Sequence, residues 1–306
     1  MNRLESLQWQ CKKMWIPYLM PEFPVPNTTV PTLLALQRSG ADVIELGFPH
    51  SDPLADGRTI QDAAQVAIRN GVTLPKLLEW IYKARTASPE PLQIPLIVMG
   101  YINPILQYGI ERFLAEAKTV GVDGLIVPDL PPEEAEEFRQ KCIAQHLALV
   151  FLISPVTSEA RIQKIDALAT HFLYAISVNA TTGTGKLSAQ DTSQIRPYLE
   201  RVRRNAKKPF VVGFGIEAAE QAASILEVAD GVVVGSALLR AMSAAKSAAE
   251  TVALAEAFWK TLCQSHTNRL CLTSSDANRQ NAVAYLKPID HIHASLDQTE
   301  GGVTPV

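Results

Sequence analysis

Short apolar runs alternate along this chain with longer stretches in which apolar residues recur every three or four positions. Runs of the first kind fit buried strands and those of the second fit amphipathic helices, so their order predicts βα units around a parallel sheet. Eight runs read as strands, over residues 15–20, 42–47, 94–100, 124–128, 148–153, 172–178, 210–213 and 231–234. Between them lie helix patterns at 30–39, 74–87, 110–120, 133–145, 159–168 and 218–226, each long enough for a crossover, and an Ala-rich stretch at 237–262 supplies closing helices. Eight strand–helix units predict a single (β/α)8 TIM barrel over residues 1–263, a fold that suits a chain of 306 residues. From Gln264 the composition turns to Ser, Thr, Asn, Asp and Gln. Residues 264–306 are therefore expected to form a polar, largely disordered C-terminal extension, with His291 and His293 solvated rather than metal-bound.

One residue breaks the apolar pattern. Glu45 lies within Val43-Ile44-Glu45-Leu46-Gly47-Phe48, a run that otherwise reads as a buried strand. An unpaired carboxylate in an apolar interior costs several kcal/mol even after relaxation, so Glu45 needs a partner or a task. Strand alternation puts Val43, Glu45 and Gly47 on one face, away from the helix layer; in a closed barrel that direction is the mouth.

Composition narrows the function. A hydrophobic share of 47%, a charged share of 19% and a net charge of −3 leave no basic surplus for nucleic acid or anionic lipid. Cys11, Cys142, Cys263 and Cys271 lack metal-ligand spacing and read as free thiols. With neither an apolar signal core at the start nor a membrane-length apolar run, a cytoplasmic protein is expected.

In a barrel of this kind the chemistry sits after the strand ends. Glu45 and Asp56 both fall there, on one connection, and two carboxylates in different environments are a usual source of a separate acid and base. The structural alternatives are a buried ion pair for Glu45 and an Asp-Gly turn for Asp56. Gly213-Phe214-Gly215 and Gly235-Ser236 follow strands seven and eight, where backbone amides and helix starts favour a phosphate; turn conformation alone is the plainer reading. Small residues at 179–186 suit a lid after strand six. Lys186 is followed by Leu187, so the P-loop pattern is absent.

Glu45-Leu46-Gly47-Phe48-Pro49-His50-Ser51-Asp52-Pro53-Leu54-Ala55-Asp56-Gly57-Arg58-Thr59-Ile60-Gln61 closely resembles the signature of the tryptophan synthase alpha subunit family, and the likeness extends over about residues 15–240. The resemblance implies cleavage of indole-3-glycerol phosphate to indole and glyceraldehyde 3-phosphate, a retro-aldol lyase reaction in L-tryptophan biosynthesis without metal or organic cofactor. It implies that Glu45 protonates indole C3 and handles the proton of the side-chain hydroxyl, and that Asp56 stabilises positive charge at the indole nitrogen. Tyr174, Thr182 and Gly183 match substrate and lid positions, with Thr182 expected to bond Asp56. Gly183 also belongs with Gly213, Phe214, Gly215, Gly235 and Ser236 in the phosphate set. His50, Arg58, Ala180 and the first loop at 20–26 depart from the family pattern; His50 reads as a ring-for-ring replacement of an aromatic.

The resemblance further implies an alpha2beta2 complex with a beta subunit that carries pyridoxal phosphate. Leu54, Tyr101, Asn103 and Asp129 are the expected contacts, within a set of apolar loop residues that follow strand ends. Two other readings stand beside this one. Another phosphate-binding barrel, such as a sugar-phosphate isomerase or indole-glycerol phosphate synthase, is one, although strands three to five present no catalytic lysine for the synthase. A non-catalytic activator of the beta subunit is the other, and it leaves a buried Glu45 without a use.

Overall fold

The computed structural model describes residues 2–176, 189–213 and 215–273. Strands β1 (Met14–Leu19), β2 (Ile44–Gly47), β3 (Leu96–Met99), β4 (Gly124–Ile126), β5 (Ala148–Ile153), β6 (Leu173–Ile176), β7 (Phe210–Gly213) and β8 (Gly231–Val234) close in sequence order into a parallel barrel. β1 pairs with β8 through Met14 to Gly231 and Pro17 to Val234, which completes the ring. The predicted (β/α)8 architecture is thus the observed one. Its strands are nearly uniformly buried on both faces, as expected where side chains fill the pore and helices cover the outside.

Helices α1 (Thr29–Arg38), α2 (Arg58–Arg69), α3 (Leu74–Arg85), α4 (Ile102–Tyr108), α5 (Ile110–Val120), α6 (Glu136–Ala144), α7 (Glu159–Leu168), α8 (Ala189–Asn205), α9 (Ala219–Leu226), α10 (Ser236–Met242) and α11 (Ala248–Thr273) make the outer layer. α2, α4 and α8 are additional to the helices expected from the pattern. In α2 the buried face consists of Ile60, Ala63, Ala64 and Ala67, so small residues carry the packing and the apolar signal is weak. Observed ends differ from the predicted ones by a few residues. Strand β2, for example, starts at Ile44 because Asp42 before it turns its carboxylate onto the Trp15 N–H at 2.9 Å.

The closed end of the barrel is held by charge. Asp123, buried just before β4, accepts from Arg85 Nη2 at 2.9 Å, Arg3 Nη1 at 3.2 Å and the Leu96 N–H at 3.0 Å. Arg85 also donates to the Leu92 and Ile94 carbonyls. A buried charge so fully hydrogen-bonded fixes α3, β3 and β4 relative to one another, which keeps the opposite end free for chemistry.

Two units divide the chain, residues 1–266, which contain the barrel, and residues 267–306. Helix α11 runs to Thr273, past the composition change at Gln264. The expected disorder of the extension, with His291 and His293, concerns residues of which 274–306 lie outside the described ones. Among the described residues no helix is long and apolar enough to cross a membrane.

Candidate active site

Glu45 is the second residue of β2, with Tyr18 of β1 opposite it in the register and Ile97 of β3 on its other side. Its side chain points into the pore and ends in a cleft at the carboxyl end of the strands. Lining this cleft are Tyr18, Glu45, Tyr174, Gly215, Gly235 and Ser236, with Ile60, Met99, Ile216 and Val233 as its apolar walls. Apolar walls with a few convergent polar groups are the usual make-up of a small-molecule site.

Only 1% of Glu45 is exposed, and neither carboxylate oxygen has a well-formed hydrogen bond. Burial pushes its carboxyl up to about 8, the charge of Asp56 adds to the rise, and the Tyr174 hydroxyl works weakly against it. At neutral pH Glu45 is therefore mostly protonated. Among the described residues no cation stands beside the carboxyl, so none of them makes the ion pair that was the structural alternative.

Asp56 sits in the β2–α2 connection and is half-buried. Its carboxyl is raised to about 6 by burial, against the opposing effects of a hydrogen bond from Tyr101 and of nearby His50. Tyr101, at the end of β3, ties the loop down: its hydroxyl accepts the Ala55 N–H at 2.9 Å and donates toward Asp56. The His50 ring lies on Tyr101 with centroids 4.9 Å apart, while its Nδ1 accepts the Asp52 N–H at 3.0 Å. His50 thus packs as an aromatic would in that place. Arg58 points outward to pair with Asp62 in the first turn of α2.

The glycine turns converge on the same cleft. Gly215 adopts a positive φ of 78°, which a side chain would strain. Gly235 closes on the Tyr18 stem, and Ser236 opens α10. Their free amides form the part of the cleft suited to an anion. Phe214, Thr182, Gly183 and Ala180 lie outside the described residues.

The proposed contact residues sit apart from the cleft lining. Leu54 is 84% exposed on the Asp56 loop, Asn103 is exposed in α4, and Asp129 holds the Ile102 N–H at 2.9 Å, joining the loops after β3 and β4. In the first loop, Glu22 has a φ of 53° and buries its carboxylate against the Thr29 N–H and hydroxyl, so a side chain secures an otherwise glycine-like conformation. Among the described residues no group of three or more His, Cys, Asp or Glu side chains is placed to hold a metal ion.

Tyr18 is the main lining residue not singled out from the sequence. The available signal was alternation: Tyr18 occupies the inward position near the carboxyl end of β1, one strand from Glu45.

Comparison with known proteins places this geometry. The family model for the tryptophan synthase alpha chain matches residues 4–268. The tryptophan synthase alpha chains of Chlorobaculum parvum and Chlorobium limicola are 51% and 52% identical over 263 residues, covering 85% of this chain and 98% of theirs. Among solved structures, the tryptophan synthase alpha subunit of Legionella pneumophila is similar with a TM-score of 0.76 and 37% identity, covering 88% of this chain and 99% of that one. A mutant alpha-subunit from Pyrococcus furiosus superposes with a TM-score of 0.72 and 35% identity, over 83% of this chain and 99% of that one.

Proposed function

The chain belongs to the tryptophan synthase alpha chain family, and from that premise we propose that Glu45 and Asp56 divide the proton transfer and charge stabilisation of its reaction between them. The protein is a lyase that cleaves indole-3-glycerol phosphate to indole and glyceraldehyde 3-phosphate, a step of tryptophan biosynthesis. The isomerase and synthase readings give way to this one.

The observation that carries the assignment is the pair of raised carboxyl groups, about 8 for Glu45 and about 6 for Asp56. Near neutral pH they leave one acid protonated and one ionised. Protonated Glu45 delivers its proton to indole C3, which places a positive charge on the ring nitrogen. Ionised Asp56 stabilises that charge through the ring N–H. Glu45, now a carboxylate, takes the proton of the hydroxyl on the carbon next to the ring. The carbon–carbon bond breaks, an aldehyde forms, and its bonding electrons return to the indole. Glu45 ends protonated and Asp56 ionised, as they began. These are proton transfers that two carboxyl groups can perform, so the reading includes no cofactor in this chain.

In the same reading the phosphate lies on the amides at Gly215, Gly235 and Ser236, with Gly213 ending the neighbouring strand and Tyr174 in the cleft wall; the phosphate and lid roles that the resemblance gives Phe214, Thr182 and Gly183 fall outside the described residues. Steady-state cleavage of indole-3-glycerol phosphate by Glu45→Gln and Ser236→Asp tests both halves. We expect the first to lose about 10²- to 10⁴-fold in kcat and the second to raise KM through like charge. Wild-type rates in Glu45→Gln would overturn the assignment of Glu45, whereas absence of cleavage by the wild-type chain would restore the activator reading.

A beta subunit is the expected partner, in an alpha2beta2 complex in which the beta subunit carries pyridoxal phosphate. Supporting this, Leu54 at 84%, Leu106 at 52% and Val156 at 87% exposure follow β2, β3 and β5 at the end of the barrel that holds the cleft. Exposed apolar residues gathered at one end suit a docking face, with Tyr101 and Asp129 holding the loops beneath it and Asn103 exposed beside them in α4.

A further inference from the structure

Tyr18 lies along the floor of the cleft from one end to the other. Its Cβ is 3.0 Å from where a Cβ on Gly235 would stand, and its hydroxyl is 2.3 Å from the same point on Gly47. The ring therefore runs from the turn given to the phosphate to the strand end that carries Glu45. Both glycines are needed for it: at either position a side chain would meet the ring or its stem.

The residue is only 5% exposed, yet its hydroxyl has no hydrogen-bond partner among the described residues. A phenol that lines a cleft, with no partner among the described residues, is placed to hydrogen-bond what occupies the cleft. A phenylalanine ring would fill the same space but offer the cleft no donor. The other inward phenol, Tyr174, lies between Glu45 and the Gly213 backbone and is engaged there.

The substrate has three parts: an indole that needs Asp56, a phosphate that needs the amides near Gly235, and a glycerol chain with two hydroxyl groups between them. Given the reading of the cleft argued above, we propose that the Tyr18 hydroxyl hydrogen-bonds a hydroxyl of the glycerol chain and so aligns the bond to be broken between Glu45 and Asp56. Burial and the two neighbouring carboxylates hold the Tyr18 phenol well above its ordinary value, so it keeps its proton as a donor throughout the working pH range.

The test compares Tyr18→Phe with wild type on two ligands, with thermal unfolding recorded to confirm an intact fold. One is indole-3-glycerol phosphate. The other is indole-3-propanol phosphate, which keeps both ends but has hydrogen in place of each glycerol hydroxyl. We expect kcat/KM for the substrate to fall about tenfold, while affinity for the propanol analogue stays within about twofold. Equal kcat/KM in the variant and an active wild type would overturn the proposal alone. A parallel loss for both ligands would also overturn it, assigning Tyr18 to packing. Failure of the wild type to cleave the substrate would instead overturn the reading on which the proposal rests.

Discussion

The Tyr174 hydroxyl stands 2.1 Å from the point where a Cβ on Gly213 would sit, so the tyrosine of β6 occupies the side-chain space of the last residue of β7. Read from the sequence, Gly213 is one of several glycines that open the backbone to a phosphate. In the fold it has a second duty, which is to let Tyr174 reach Glu45. Gly213→Ala should therefore displace that phenol and lower kcat about tenfold or more, since overpacking of this kind typically costs about 1–3 kcal/mol. Kinetics on indole-3-glycerol phosphate decide the matter: a rise in KM with kcat unchanged would mean that Gly213 serves the phosphate alone.

The pH dependence of kcat/KM should be bell-shaped. Activity rises as Asp56 ionises near its value of about 6 and falls as Glu45 loses its proton near about 8. The two groups interact, so the observed values belong to the pair rather than to either residue. A rate still climbing through pH 9 would contradict the acid role of Glu45.

Stability should follow the opposite limb of the same groups. Folded Glu45 keeps its proton to about 8, whereas a free carboxyl releases it near 4.5. The unfolded chain thus binds fewer protons between these values, and native stability is full below the lower one and is lost as pH rises toward the upper, by a few kcal/mol in order of magnitude. Glu45→Gln removes this dependence. Thermal unfolding of the variant should show a smaller decline in Tm from pH 5 to pH 8 than wild type, and parallel declines would assign the loss elsewhere.

Asp56→Asn keeps the turn, because Asn suits an Asx-Gly turn as well as Asp, but removes the charge. Most activity should disappear. Tyr101→Phe, which frees the Ala55 N–H and the Asp56 carboxylate together, should cost a smaller factor of about tenfold through loss of loop position. Full activity in Asp56→Asn would leave the residue with the turn alone.

For the partner, Leu54→Asp should leave the unassisted rate nearly unchanged while weakening the activation given by beta subunit, because Leu54 projects outward from the loop whose Asp56 faces inward. Titrating beta subunit against lyase activity measures this directly. Activation equal to wild type would move the docking face away from Leu54.

By itself the sequence determined the barrel, its strand order and the place of its chemistry. Those are written in local terms: the alternation of short apolar runs with helical patterns, one acid inside an apolar strand at Glu45, and an unbroken motif from Glu45 to Gln61. Helices built on small residues, such as α2, were less legible because alanines bury little apolar area and leave a faint period. Only the tertiary structure decided what depends on neighbours distant in the chain. Tyr18 on the cleft floor, Tyr101 holding the Asp56 loop, Tyr174 over Gly213 and the unequal burial of Glu45 and Asp56 all arise from closure of the ring, which brings β1 against β2 and β8. A side chain's inward direction can be read from alternation. What it touches there is set by the register of other strands, and proton affinity follows from that surrounding rather than from the residue's own place in the sequence.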